Sequence, residues 1–528
     1  MISKILARAK NSYPVIFLVL ALIAFYFIGA NAAHSFKVFT HFNGIWVLDS
    51  AQVARNTLHG HFFDTKYILP AGYSFFPTVI DHPDFIRYPL PVLIYTLLFA
   101  IFSPGATSIK VLNAILFVAN GVLIYLFALK ILRFGNQQLE FRQTKIHSFI
   151  AVFTALAASV FEFYYYQMAL FDFYEIMAVT MLLITMNVVI EKKIQPLVLG
   201  LIFGLLYLTK PTFSLFIFIF CLYYLMDQKT FKTWFLGGLF CVLGFLIIVS
   251  PFIVRSLIIT GEPMFALQHK IDSIKEVVYS HDALYRTFSR PPSLMETVVN
   301  NQTSYWQRWR MRVIVVAKIL LQPANLFIWP GLLLFFAFLK KTRAFFLSFL
   351  GFFALHVAAV AIYLLPNETM RVYTPLIELL YIFAFLGLFV AVSWLIQNIS
   401  RITYQNIIFG CIAIVICVSG VLMVRNGALS DRLTDTKDDF PQQMIERVHE
   451  ISPTCLYSNS GAKSAWFLDL PVVYSPLKLD EILTKGPREC NYFLLSGEDD
   501  DAASFLKRHG MLLYTADTYK LYEINDLK

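Results

Sequence analysis

Apolar residues run in long, nearly unbroken blocks through most of this chain, separated by short polar turns. Blocks approaching the length of a bilayer span lie at about residues 14–31, 109–132, 147–167, 175–191, 196–209, 211–226, 233–254, 314–339, 344–365, 373–395 and 404–424. A helix rises about 1.5 Å per residue, so roughly 20 apolar residues cross a hydrocarbon core of about 30 Å. The pattern predicts an α-helical polytopic membrane protein with about 11 transmembrane helices. The block at 90–103 is shorter and is bracketed by Pro89, Pro91 and Pro104. Its rise of roughly 21 Å predicts a juxtamembrane or re-entrant helix. Beyond about residue 426 the pattern changes to short β-like runs at 453–457, 471–474, 491–495, 511–515 and 518–523, with helical spacing at 477–484 and 500–508. That alternation predicts a small α/β domain over 426–528, following a transmembrane unit over 1–425.

Composition agrees with the pattern. Of 528 residues, 58% are hydrophobic and only 15% charged, which excludes a soluble globular protein. The net charge of +9 does not form a stripe that would follow nucleic acid. Instead the basic residues cluster in turns: Lys130 to Lys145, Lys192-Lys193, Lys229 to Lys232, Lys340 to Arg343, and Arg401. If these turns face the cytoplasm, the N-terminus is inside, the number of spans is odd and the C-terminal domain is extracytoplasmic. The basic start, with Lys4, Arg8 and Lys10, is read as leading into a retained first span. Two long loops, 32–108 and 255–312, then share the outer side with the C-terminal domain. The integral membrane location implied is a bacterial inner (plasma) membrane.

Cys221, Cys241, Cys411 and Cys417 lie in apolar blocks, whereas Cys455 and Cys490 each adjoin a β-like run of the C-terminal segment. If those runs are neighbouring strands a disulfide forms; otherwise both are buried thiols, and the sequence leaves both readings open. No Cys/His spacing indicates a zinc site. Asn301-Gln-Thr303 and Asn367-Glu-Thr369 fit the glycosylation acceptor pattern.

The polar residues at the outer boundaries carry the chemistry. Asp49 stands just beyond the first span in Asp49-Ser-Ala-Gln-Val-Ala-Arg55. A carboxylate there suits a general base for a lipid-borne substrate; its plain alternative is an acidic residue near a helix start. Four cations fall at predicted outer boundaries: Arg87 in Phe85-Ile-Arg87-Tyr-Pro89-Leu90, Lys210 in Gly204-Leu-Leu-Tyr-Leu-Thr-Lys210-Pro211, Arg255 in Ser250-Pro251-Phe-Ile-Val-Arg255, and Arg371 in Glu368-Thr-Met-Arg371-Val-Tyr373. Each alone fits a side chain snorkelling to the interface, but the positive-inside bias predicts few cations on that side. Asp172 and Glu175, spaced i, i+3, fit either a second acidic site or an N-terminal cap. Asp81, His82 and Asp84 crowd before Arg87 as a metal site or a solvated turn, and His41 and His61 are read as structural.

In this order the elements resemble the GT-C class of integral membrane glycosyltransferases that use polyprenyl-phosphate sugars, such as lipid A aminoarabinose transferases and protein O-mannosyltransferases. The matching patterns run from "Asp-x-x-x-x-Ala-Arg" at Asp49, through "Lys-Pro-Pro-Leu" at Arg87, to "Glu-x-Arg-Tyr" at Glu368–Tyr373, over roughly residues 10–400. Arg87 replaces the pattern's Lys and Tyr88 its first Pro. The resemblance implies that Asp49 is the catalytic carboxylate. Arg87, Lys210, Arg255 and Arg371 would bind the donor phosphate, and Asp172 and Glu175 would orient the acceptor or hold a divalent cation. The partners implied are a polyprenyl-phosphate sugar, a lipid, glycan or protein acceptor, and membrane lipids. No other cofactor is called for, and stereochemistry stays open between inversion and retention. A transporter or flippase of lipid-linked sugars is the alternative, but it predicts an internal repeat and charges near the midplane, and neither is found. A sensor or scaffold built on the C-terminal domain would leave the charged residues of the first loop unexplained.

Overall fold

The structure is a computed structural model. It describes residues 2–32, 42, 45–135, 143–161, 163–170, 174–226, 228, 230–267, 270–271, 285–288, 299–322, 325–360, 369–397, 411, 414–416, 418–422 and 440–525. The chain is predominantly helical, and five of the described helices are long and apolar enough to cross a membrane, including Ala106–Phe134, Phe231–Thr260 and Tyr373–Ile396. Shorter apolar helices fill the spaces between them, among them Glu175–Val189, Pro196–Thr209 and Ile328–Phe338. The polytopic helical class expected from the apolar blocks is therefore the observed one. Two blocks are divided. The 314–339 block falls on two helices, Gln302–Leu320 and Ile328–Phe338. Pro323 in the sequence accounts for the break, because a proline ends a helix at or before the preceding residue. The 147–167 block also spans two helices, Gln143–Phe161 and Phe163–Leu170. The proline-bracketed segment forms a helix of 13 residues, Pro89–Ile101. Its rise of about 20 Å is short for a straight crossing.

Small residues set the spacing of the helices that lead to the site. Gly200 packs so closely on the Phe231–Thr260 helix that an added Cβ would overlap the Cys241 carbonyl, and Gly244 meets the Leu197 carbonyl in the same way. Such contacts are how helices approach when no hydrophobic driving force separates lipid from side chain. A Thr230–Thr233 capping box starts the Phe231–Thr260 helix. Gly261, at φ 74°, ends it in the left-handed conformation that glycine adopts without strain. The turn is tied back by Ser256, whose hydroxyl donates to the Glu262 carbonyl at 2.6 Å and accepts from the Phe265 N–H at 2.8 Å.

At one end of the bundle stands a six-stranded sheet. Its strands are β1 (Tyr67–Ile68), β2 (Leu456–Ser458), β3 (Val472–Tyr474), β4 (Tyr492–Ser496), β5 (Gly510–Ala516) and β6 (Tyr519–Ile524), in the order β1-β3-β2-β4-β6-β5. The first four are parallel, and β6 and β5 complete the sheet antiparallel. The five β-like runs of the C-terminal segment all appear. The sixth strand, β1, comes from the first long loop and pairs Tyr67 with Val472. The sheet thus draws on residues outside the 426–528 segment that the sequence pattern marked. The apolar core beneath it is shared in the same manner: Val47, Ala51, Ala54 and Val92 of the first loop pack with Met444, Val448, Ala465 and Leu494. The second long loop joins through the Leu477 N–H, which donates to the Tyr285 carbonyl at 2.8 Å, and through a Thr287–Glu481 hydrogen bond. The two loops and the C-terminal unit are therefore in direct contact with one another.

Strands β2 and β4 are neighbours, with Tyr457 opposite Phe493. Cys455 and Cys490 just precede them and form a disulfide with Cα atoms 4.8 Å apart.

Candidate active site

Asp49 sits on the helix Ile45–Leu58, in a stretch from Val47 to Ala54 that is buried throughout. Gln52, one turn further, accepts hydrogen bonds from the Thr65 hydroxyl at 3.1 Å and the Lys66 N–H at 3.0 Å. Those bonds fix the chain just before β1 and bring Tyr67 against the site. The Arg87 guanidinium faces Asp49 at 2.8 Å and Asp84 at 2.7 Å, with each of the three side chains at most 4% exposed. Its Cζ lies 5.6 Å from the centroid of the Tyr67 ring.

Asp84 closes a local turn by accepting the Arg87 N–H at 3.1 Å, as Asp side chains commonly do in turns. That geometry aims Arg87 inward just before the Pro89–Ile101 helix. Burial pushes the Asp49 carboxyl up to about 6; Arg87 holds it down in part, and the neighbouring Asp84 charge raises it. Burial works against the Arg87 charge, but the two carboxylates outweigh it and raise its pKa above the ordinary value. Asp49 Oδ1 is buried and has no hydrogen-bond partner among the described residues. A buried acceptor left open in this way is a place for a substrate proton donor.

Arg255 reaches the same place from the Phe231–Thr260 helix. It donates to the Asp84 carbonyl at 3.1 Å and to the Phe63 carbonyl at 2.9 Å, and its guanidinium lies 4.5 Å from the Phe85 ring centroid. Among the described residues no carboxylate lies within salt-bridge distance of it. Arg87 and Arg255, which the sequence could not tell apart, are thus electrically different. Arg87 is in contact with two carboxylates, while Arg255 bonds two neutral carbonyl oxygens and feels Asp84 and Asp64 only from further off. Both arginines line an open cleft whose walls include Phe85, Tyr207, Val249, Phe252 and Phe265. A cleft with cationic groups and long apolar walls is suited to an amphiphile with an anionic head.

Lys210 follows the Pro196–Thr209 helix in extended conformation and is 2% exposed. Its neighbours Leu208 and Pro211 line the cleft. Glu175 begins the Glu175–Val189 helix and is buried, and the Tyr174 ring before it packs edge-on to Tyr88 at 5.6 Å. Asp172 lies outside the described residues. Arg371 belongs to the Thr369–Gln397 helix, but its side chain lies outside the described atoms. His41 is also outside them.

The Asp81-His82-Asp84 group does not act as a unit. Asp84 turns to Arg87, and the buried His82 sets Nδ1 2.8 Å from the Thr78 carbonyl. Asp81 instead meets His61 at 3.0 Å, and with Asp64 they bring one possible ligand atom each within 4.8 Å of one another. No spacing in the sequence could join His61 to residues up to 20 positions away. Asp84 as partner of Arg87 was also missed, although Asp three residues before Arg at a helix entry is a recognisable turn pattern.

The fold is that of a polytopic, GT-C-like membrane protein. Two solved structures share that fold along nearly the whole chain. ArnT from Cupriavidus metallidurans in the apo state aligns at TM-score 0.52 and 11% identity, covering 98% of this chain and 99% of that one. The same protein bound to undecaprenyl phosphate aligns at TM-score 0.53 and 11% identity, covering 97% and 98%. Neither a protein-family model nor a curated protein sequence matches the chain.

Proposed function

We propose that this chain is a membrane glycosyltransferase that moves a sugar from a polyprenyl-monophosphate donor to a hydroxyl of a glycolipid, polysaccharide or protein. The reaction takes place at the extracytoplasmic face of a bacterial inner membrane. The observation that carries the reading is the contact of the buried Asp49 with Arg87, which together with Arg255 lines an apolar-walled cleft. ArnT, similar in fold, is known bound to undecaprenyl phosphate, a polyprenyl phosphate of the kind the proposed donor would leave behind.

In this reading the donor phosphate rests on Arg255, with Arg87 beside it, and the polyprenyl chain runs along the apolar wall. Lys210 and Arg371 add positive charge to the donor site. Asp49 takes the proton of the acceptor hydroxyl as that oxygen bonds to the sugar's anomeric carbon. The anomeric carbon's bond to the phosphate oxygen breaks, and the charge leaving on the phosphate is met by the guanidinium groups. A carboxyl held near pH 6 is ionised at neutral pH yet more basic than an ordinary one, which suits a general base. Asp172 and Glu175 orient the acceptor or hold a divalent cation. The membrane unit over 1–425 carries the reaction, and the unit over 426–528 covers it from outside.

Mass spectrometry of envelope glycans and glycolipids tests the reading, comparing cells with the gene, without it, and carrying Asp49→Asn. One monosaccharide missing from the same molecule in both altered strains is the expected result and names donor and acceptor. An unchanged envelope in both overturns it.

A further inference from the structure

Asp84 touches both guanidinium groups of the cleft, by different atoms. Its carboxylate bonds Arg87 Nη1 at 2.7 Å, and its carbonyl oxygen accepts from Arg255 Nη1 at 3.1 Å. The Asp84 N–H in turn donates at 2.9 Å to the Phe63 carbonyl, the second acceptor of Arg255. One residue therefore sets where both cations stand relative to each other. Its side chain also competes with Asp49 for Arg87, because a single guanidinium faces two carboxylates in a buried setting. An ion pair shared this way leaves each carboxylate less neutralised than a private one would.

We infer that Asp84 is a positioning residue of this site: its carboxylate keeps Arg87 from pairing fully with Asp49, while its main chain anchors Arg255 as the separate phosphate-facing cation. The inference rests on Asp49 being the base. The charged and titratable groups around Asp49 are Arg87 and Asp84, from the segment before the Pro89–Ile101 helix, and Tyr67 from β1. With Asp84 neutralised, Arg87 turns its whole charge on Asp49, and the carboxyl becomes a weaker base. Arg87 also loses a competitor for an incoming phosphate.

The test uses the full chain in lipid nanodiscs. Infrared titration of the buried carboxyl, with Asp49→Asn to assign the band, gives the Asp49 midpoint. Undecaprenyl phosphate serves as the binding probe. Asp84→Asn keeps an oxygen that can accept the Arg87 N–H, so the turn is retained; Asp84→Ser, which also keeps a short uncharged acceptor, is read the same way. The expected result is a midpoint lower by roughly one pH unit in both variants. The probe binds at least as tightly as to wild type, and Asp84→Glu restores the midpoint. A purely structural role would weaken probe binding and leave the midpoint in place. An unmoved midpoint in a variant that still binds the probe overturns the inference. Failure of the proposed function looks different: Asp49→Asn would then leave the envelope glycans unchanged while the midpoint shift in Asp84→Asn stands.

Discussion

Tyr67 pairs with Val472 in parallel register, so two residues of the first loop become the edge strand of a sheet otherwise built from residues beyond 455. The same Tyr67 carries its ring beneath Arg87, which makes β1 a rigid link between the C-terminal unit and the reaction centre. Asp469 reinforces the link by accepting from Arg55 at 2.9 Å and from Lys66 at 2.8 Å, and the Arg55 guanidinium lies 4.2 Å from the Trp466 ring centroid.

The joint should depend on the ring more than on the ions. Trp466→Ala removes a largely buried aromatic side chain, a change that typically costs about 3–5 kcal/mol, and transfer should fall with stability. Asp469 is half exposed, so Asp469→Ala should cost about 1 kcal/mol or less. Thermal unfolding of the two variants, followed by tryptophan-independent light scattering, gives the order. Equal losses would place the joint in the ion pairs.

Asp49→Asn should abolish transfer, by about 10²–10⁴-fold, while the protein still binds undecaprenyl phosphate. The amide is nearly isosteric but cannot take up the acceptor proton. Rates in membranes with matched expression decide it, and near wild-type activity removes Asp49 from the mechanism.

Transfer should rise with pH through about 6 as Asp49 ionises, then level off. Stability runs the other way for this group. Its folded pKa lies above the unfolded value, so its contribution is fully present at low pH and is lost as pH rises through about 6. Asp49→Asn should therefore melt above wild type at pH 8, and the gap should narrow below pH 6. Melting curves at the two pH values test the sign.

Arg87→Ala and Arg255→Ala should weaken donor use more than Arg425→Ala, which removes a boundary arginine outside the site motifs. Charge-assisted hydrogen bonds are worth roughly 1.5–3 kcal/mol each. Arg255→Lys should also be impaired, because one ammonium cannot reproduce the planar fork that spans the Phe63 and Asp84 carbonyls. Donor titrations separate the cases, and equal effects at 87, 255 and 425 would favour simple interfacial anchoring.

Cys455→Ser with Cys490→Ser should destabilise the C-terminal unit by about 2–4 kcal/mol. In the unreduced, unfolded wild type, thiol labelling should miss both residues. Labelling of either would exclude the bond.

The apolar blocks, the α/β character of the last hundred or so residues and the candidacy of Asp49, Arg87 and Arg255 were legible in the sequence. Block length, strand alternation and a charge beside a span are local features, and local sequence carries them. The division of the 314–339 block, read as a single run, also had a local signal in Pro323. Tertiary structure alone decided the rest. Two residues, Tyr67 and Ile68, are too few to show a strand period, and they become β1 only because β3 offers its edge. Arg87 is shared between Asp49 and Asp84, and Arg255 rests on two backbone carbonyls, because segments far apart in the chain pack around one buried space. His61 likewise joins Asp81 only through the fold of the loop between them. A sequence names the charges that a site has available, but which of them neutralise one another depends on distances that only packing sets.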